Sequence, residues 1–207
     1  MKVLRRTLFW LLLAAFAALF VWWILYLPFR RADLYAAIPE NAVFVSEHER
    51  LSERWREVLS NPACLRLLEA AGVDRNAVDD LRSDPSAAWI LNTFADRLTV
   101  AGYVPAAPPA GKPAWCLASW GGMHAQFLRW GFYSRFLSDF AAVKLPDFGT
   151  VWVKEAGAGR SQLVLAAAQG VVVGCLCEDP RTAGFLVERI TRGVRGGAVE
   201  TRLESMR

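Results

Sequence analysis

From Thr7 to Phe29 the sequence TLFWLLLAAFAALFVWWILYLPF carries no charged residue. At ~1.5 Å rise per residue, that run exceeds the ~20 residues a bilayer-crossing helix needs. Lys2, Arg5 and Arg6 precede it, and Arg30 and Arg31 follow. Trp22, Trp23 and Tyr26 cluster toward its C-terminal end, where amphipathic rings favour the headgroup level; Trp10 stands near the other end and Pro28 marks the exit. The pattern predicts a transmembrane helix over 7–29 behind a short basic cytoplasmic end, 1–6. A cleaved signal peptide fits less well, because the apolar core is longer than the usual ~7–15-residue h-region and no small-x-small site follows it. The expectation is a single-pass signal anchor: the lipid bilayer as one partner, the N-terminus cytoplasmic and the main domain extracytoplasmic.

The anchor flanks account for the basicity of the chain. Removing those five basic residues from the total of 24 leaves 19 against 20 acidic ones, a net of −1 for the remainder. A near-neutral domain offers no basic stripe for phosphate, so nucleic acid is not an expected partner. Only the segment from Arg181 onward is locally basic.

Residues 30–38 read as a connector, and 39–191 as one α+β domain. Ala42 to Ser46 suits a short strand, and Glu49 to Ser60 a helix whose apolar residues Leu51, Trp55, Val58 and Leu59 recur at helical spacing. Asn61-Pro62 and Asp84-Pro85 are cap-plus-first-turn-proline signals, Asp74 starts a further helical segment, and Gly72 is placed to close the helix before it. RLTVAGYV and AWCLASW read as strands around a proline-rich reversal. The segment from Met123 to Phe140 reads as one helix bent at Gly131. Three strands then follow, joined by turns at AGAGR and Gln169-Gly170, and Asp179-Pro180 caps a terminal helix before a charged tail, 192–207. Hairpins dominate the later half, which favours an antiparallel or mixed sheet with helices packed on one face.

The anchor, IPENAVFVSEH, WREVLSNPACLRLLEAAGVD and SQLVLAAAQGVVVGCLCEDPRTAGFLV together resemble the bacterial membrane-anchored family of unknown function DUF3352. The resemblance covers most of 39–190. It implies an anchored extracytoplasmic, periplasmic α+β domain at a bacterial inner membrane, and it supplies no catalytic residues.

The candidate chemical groups are few. Glu47-His48-Glu49 holds possible ligands and acid/base groups, but neighbours on a strand exit point in different directions. His124, behind Gly121-Gly122-Met123, is placed to cap, pack or bind. Gly157 and Gly159 fit a turn better than a phosphate loop, since neither G-x-x-x-x-G-K-S/T nor G-x-G-x-x-G occurs. Ser46, Ser119 and Ser161 lack a G-x-S-x-G elbow. No cofactor or metal site is expected. Trp115, Trp120, Trp130 and Trp152, with His124, are the candidates for a binding surface.

Cys175 and Cys177 sit two apart on a strand, so both thiols face one side, ~6–7 Å apart along the chain, and are poor partners for each other. Buried free thiols are the simplest reading. A cross-strand disulfide from Cys116 to Cys175 or Cys177 is the alternative that an oxidising compartment permits. The functional expectation is a non-enzymatic, anchored binding or envelope-organising module. The alternatives are an accessory subunit of a larger membrane complex, with an envelope protein as partner, and a small envelope hydrolase.

Overall fold

The computed structural model describes residues 2–70, 73–155, 161–194 and 196–205, and for 2–5, 23–25 and 77 the backbone alone. The expected closure by Gly72 and the AGAGR turn lie outside the described residues. The chain enters through α1 (Lys2–Leu25) and, after five residues, forms α2 (Arg31–Ala37). Strand β1 (Phe44–Glu49) leads to α3 (Leu51–Val58), α4 (Pro62–Ala70), α5 (Arg75–Ser83) and α6 (Pro85–Phe94). Strands β2 (Leu98–Ala107) and β3 (Lys112–Trp120) form a hairpin, and α7 (Met123–Arg129) crosses to β4 (Ala141–Leu145). Then β5 (Gly149–Glu155), β6 (Gln162–Ala168) and β7 (Val171–Cys177) run back to the centre, followed by α8 (Arg181–Thr191) and α9 (Gly197–Glu204).

The seven strands make one antiparallel sheet in the order β1-β2-β3-β7-β6-β5-β4. Strand alternation sorts its side chains onto two faces. Val100, Val104, Cys116, Ala118, Val164, Val173 and Cys175 meet α2, α8 and α9 on one side. Leu165, Ala167, Val172 and Trp152 meet α6 and α7 on the other. Helices therefore cover both faces, not one. The reason lies in the composition of β6 and β7: their apolar runs are unbroken, which leaves neither face fit for water.

Among the described residues no helix is long and apolar enough to cross a membrane, which corrects the expected transmembrane helix and single-pass signal anchor. The C-terminal end of the expected span belongs to the domain instead. Phe29 meets Trp120 edge-on at 5.4 Å, Arg97 lies over the Phe29 ring at 4.5 Å, and Leu27 packs against the core.

The expected connector is also core. Leu34, Tyr35, Ala36, Ala37 and Ile38 are all buried, and a Cβ added at Gly102 would stand only 2.9 Å from Ile38 Cγ2. The expected tail contains α9, whose Val199 and Leu203 are buried against this same region. Arg189 Nε donates to the Ala36 carbonyl at 2.8 Å and Arg202 Nη1 to that of Ala42 at 2.6 Å, so the last two helices clasp the first segment of the domain.

The local start signals act as the sequence indicates. Side chains of Asn61, Asp74, Asp84 and Asp179 accept from backbone N–H groups two residues on, at 2.8–3.1 Å. The expected single helix over 123–140 is divided. Gly131, at φ +76°, ends α7 rather than bending it, and Phe132 N–H closes the turn on the Phe127 carbonyl at 3.0 Å.

Candidate apolar docking face

The start of α7 is set by the turn that joins β6 to β7. Gln169 and Gly170 both have positive φ, 47° and 85°, which matches the two-residue hairpin turn joining right-twisted strands. A Cβ on Gly170 would lie 2.6 Å from the Trp120 ring. Its carbonyl accepts from Gly121 and Gly122 N–H, each at 2.9 Å. The turn thus seats Trp120 and fixes where α7 begins.

Met123, at the start of α7, is 42 % exposed and faces the C-terminal half of α1 across a cleft of about 640 Å³. Ala17, Ala18, Val21, Trp22, Tyr26 and Leu27 supply the remaining walls. Above the cleft, the large apolar side chains of α1 from Leu8 to Trp22 are 45–68 % exposed on every side of the helix. At roughly 100 Å² for each half-exposed ring or branched chain, α1 alone presents on the order of 1,000 Å² of apolar surface, beyond the ~300–600 Å² of the largest patch on an ordinary monomer.

The turns after α7 carry a separate cluster of rings. Trp89 stacks on Phe136 at 5.0 Å and meets Tyr133 edge-on at 5.1 Å, while Phe127 contacts Phe132 at 5.6 Å. Phe132, Phe136 and Trp130 remain more than half, or half, exposed. His124 Nδ1 hydrogen-bonds the Tyr133 hydroxyl. Beneath the rings, Lys154 on β5 bonds Asp84 at 2.6 Å and approaches Asp139 at 3.4 Å, tying the α6 cap and the post-α7 turn to the sheet. Burial alone would raise the Asp84 carboxyl; the Lys154 bond and the Ser86 N–H outweigh it and hold the group below its usual range.

Of the five residues expected to form a binding surface, Trp130 and His124 belong to this ring cluster, and neither lines the cleft. Trp120 and Trp152 are each only 8 % exposed and are core, because both faces of the sheet are covered. Trp115 lies half-buried on β3 beside Tyr103, at 5.0 Å, and Phe44, at 6.0 Å, away from the cleft. Met123, Trp89, Phe132, Tyr133 and Phe136 were not among the expected residues. The available signal was Gly131, since aromatic residues just past a helix-ending glycine fall in a turn.

The chemical candidates separate. Ser46 Oγ and His48 Nε2 are 3.0 Å apart on one face of β1, but burial and the neighbouring Arg54 lower the imidazole pKa. Glu47 and Glu49 leave by the other face, toward Tyr35 and Arg31, so neither orients His48. Ser119 is buried and donates to the Phe94 carbonyl at 2.6 Å, with the Thr99 hydroxyl 2.8 Å away. Ser161 follows residues 156–160, which lie outside the described residues and include Gly157 and Gly159. Among the described residues, no group of three or more His, Cys, Asp or Glu is placed to hold a metal ion.

Cys116 and Cys175 stand directly opposite each other on β3 and β7. Both are free, as are Cys64 and Cys177. The hydrogen bond to Cys116 and full burial push the Cys175 thiol well up. Burial, with Cys116 nearby, pushes Cys177 up to about 12, and its thiol donates to the Asp179 carbonyl at 3.2 Å. Such thiols are poor nucleophiles.

Comparison with models of known families, with characterised proteins and with solved structures finds no match. The resemblance to DUF3352 is neither strengthened nor weakened by this.

Proposed function

We propose that this chain is a non-enzymatic binding module: a rigid α+β domain that presents α1 to the apolar helices of a partner protein. The observation that carries this reading is the exposure of large apolar side chains all round α1. A helix apolar on every side needs apolar contacts on every side, which the helices of a partner protein supply. The exposed rings of Trp130, Phe132 and Phe136 supply a second contact surface for an envelope protein.

The test is phase partition of the full chain in a non-ionic detergent, followed by flotation with neutral vesicles. Wild type enters the detergent-rich phase, and Leu12→Glu with Phe16→Glu moves it to the aqueous phase without altering its circular dichroism. Recovery with a stoichiometric protein, without flotation, supports partner helices; flotation of the purified chain alone counts against them. A wild-type chain that stays in the aqueous phase refutes the reading.

A further inference from the structure

The cleft beside α1 is open although every wall is apolar, and its shape narrows what can fill it. At ~100° per residue, Ala14, Ala18 and Val21 share an arc of ~60° on the cleft side of α1, whereas Phe9, Leu12, Phe16 and Phe20 occupy the opposite arc. Ala17 and Ala18 line the cleft itself, so the helix backbone is accessible there. A second helix can approach to the close end of the usual ~8–10 Å interaxial range. The walls need an apolar helix bearing small residues at the crossing, which α1 itself is.

We infer that α1 pairs with α1 of a second copy of this chain, each helix entering the cleft that the other forms with Met123. The arrangement is two-fold and self-complementary, the commonest closed symmetry for a homo-oligomer. It rests on the docking reading above and names the partner for one side of the helix. The area suffices: covering half of α1 and the Met123 wall removes about 600 Å² per partner, or ~1,200 Å² in total, the lower end of the range for specific interfaces. The large arc through Phe9, Phe16 and Phe20 is left to the partner helices of the docking reading.

Cross-linking of the full chain tests the pairing. Cys116, Cys175 and Cys177 are buried, so a Cys64→Ser background leaves a single reactive thiol wherever one is introduced. In dilute detergent micelles, a short bismaleimide is expected to convert Ala18→Cys into a species of twice the chain mass. Phe16→Cys, ~160° round the helix, gives several-fold less. Equal yields at the two positions overturn the cleft geometry. Absence of the dimer from both variants, while the chain still partitions into detergent, overturns the pairing and leaves the docking reading intact; failure to partition removes both.

Discussion

Leu34→Ala tests whether the segment after α1 is a linker or part of the core. Leu34 is 0 % exposed and packs within the larger core cluster with Tyr35, Ile38, Val100 and Leu186. Loss of three carbon atoms forfeits about 2 kcal/mol of transfer free energy at ~0.8 kcal/mol per methylene. A residual cavity of ~50 Å³ at ~24 cal/mol per Å³ adds about 1 kcal/mol. The total, ~3 kcal/mol, corresponds to a fall in Tm of about 6–12 °C for a domain of this size. The assay is urea unfolding of the full chain, followed by tryptophan fluorescence, in a mild detergent that accommodates α1. Ala32→Ser, at an exposed position of α2, serves as the control and should fall within ±0.5 kcal/mol. A Leu34→Ala loss below about 1 kcal/mol, at unchanged m-value, would refute the core assignment, since a fully buried leucine does not leave so cheaply.

The Lys154–Asp84 pair makes stability depend on acid. Asp84 has a folded pKa below its ordinary value, so its contribution is complete above the unfolded value of ~3.9 and is lost as pH falls through the lower folded one. Lys154→Met should lower stability at neutral pH and flatten the acid limb of a Tm-against-pH curve; an unchanged limb would show that the pair does not report on folding. Thiol counting checks the cysteines: at pH 8 the native chain should react rapidly at Cys64 alone, and the unfolded chain at all four. Two reactive thiols after unfolding without reductant would instead mean that Cys116 is joined to Cys175 or Cys177.

What was legible in the sequence was local. Asn61, Asp74, Asp84 and Asp179 cap helices using groups two residues away, while β2 and β7 announce themselves by β-branched residues, β3 by its tryptophans and β6 by an unbroken apolar run. Helix α2 was not legible, because a seven-residue helix has little intrinsic stability and forms only when Leu34, Tyr35 and Ala37 find the sheet and α8. Edge strand β4 was hidden by its shortness: Val143 and Leu145, packed on the core, alternate about Lys144 over only three residues. The tryptophans could not be sorted by strand parity, since Trp120 and Trp152 point to opposite faces and both are covered. The apolar run was visible at once, yet its last residues are held by Trp120 and Arg97, contacts from positions some seventy to ninety places away.

The strand order also has a consequence for how the domain can be damaged. Strands β1-β2-β3 and β4-β5-β6-β7 are two separate meanders, each built from neighbours in the chain, and they meet only along β3 and β7. Each meander protects the other's open edge. A product ending near Trp120 would keep its hairpin pairing but bare the backbone of β3, with Trp115, Cys116 and Leu117 along it, to any strand nearby. Such fragments should aggregate through that edge, and supplying the second meander in trans should suppress it.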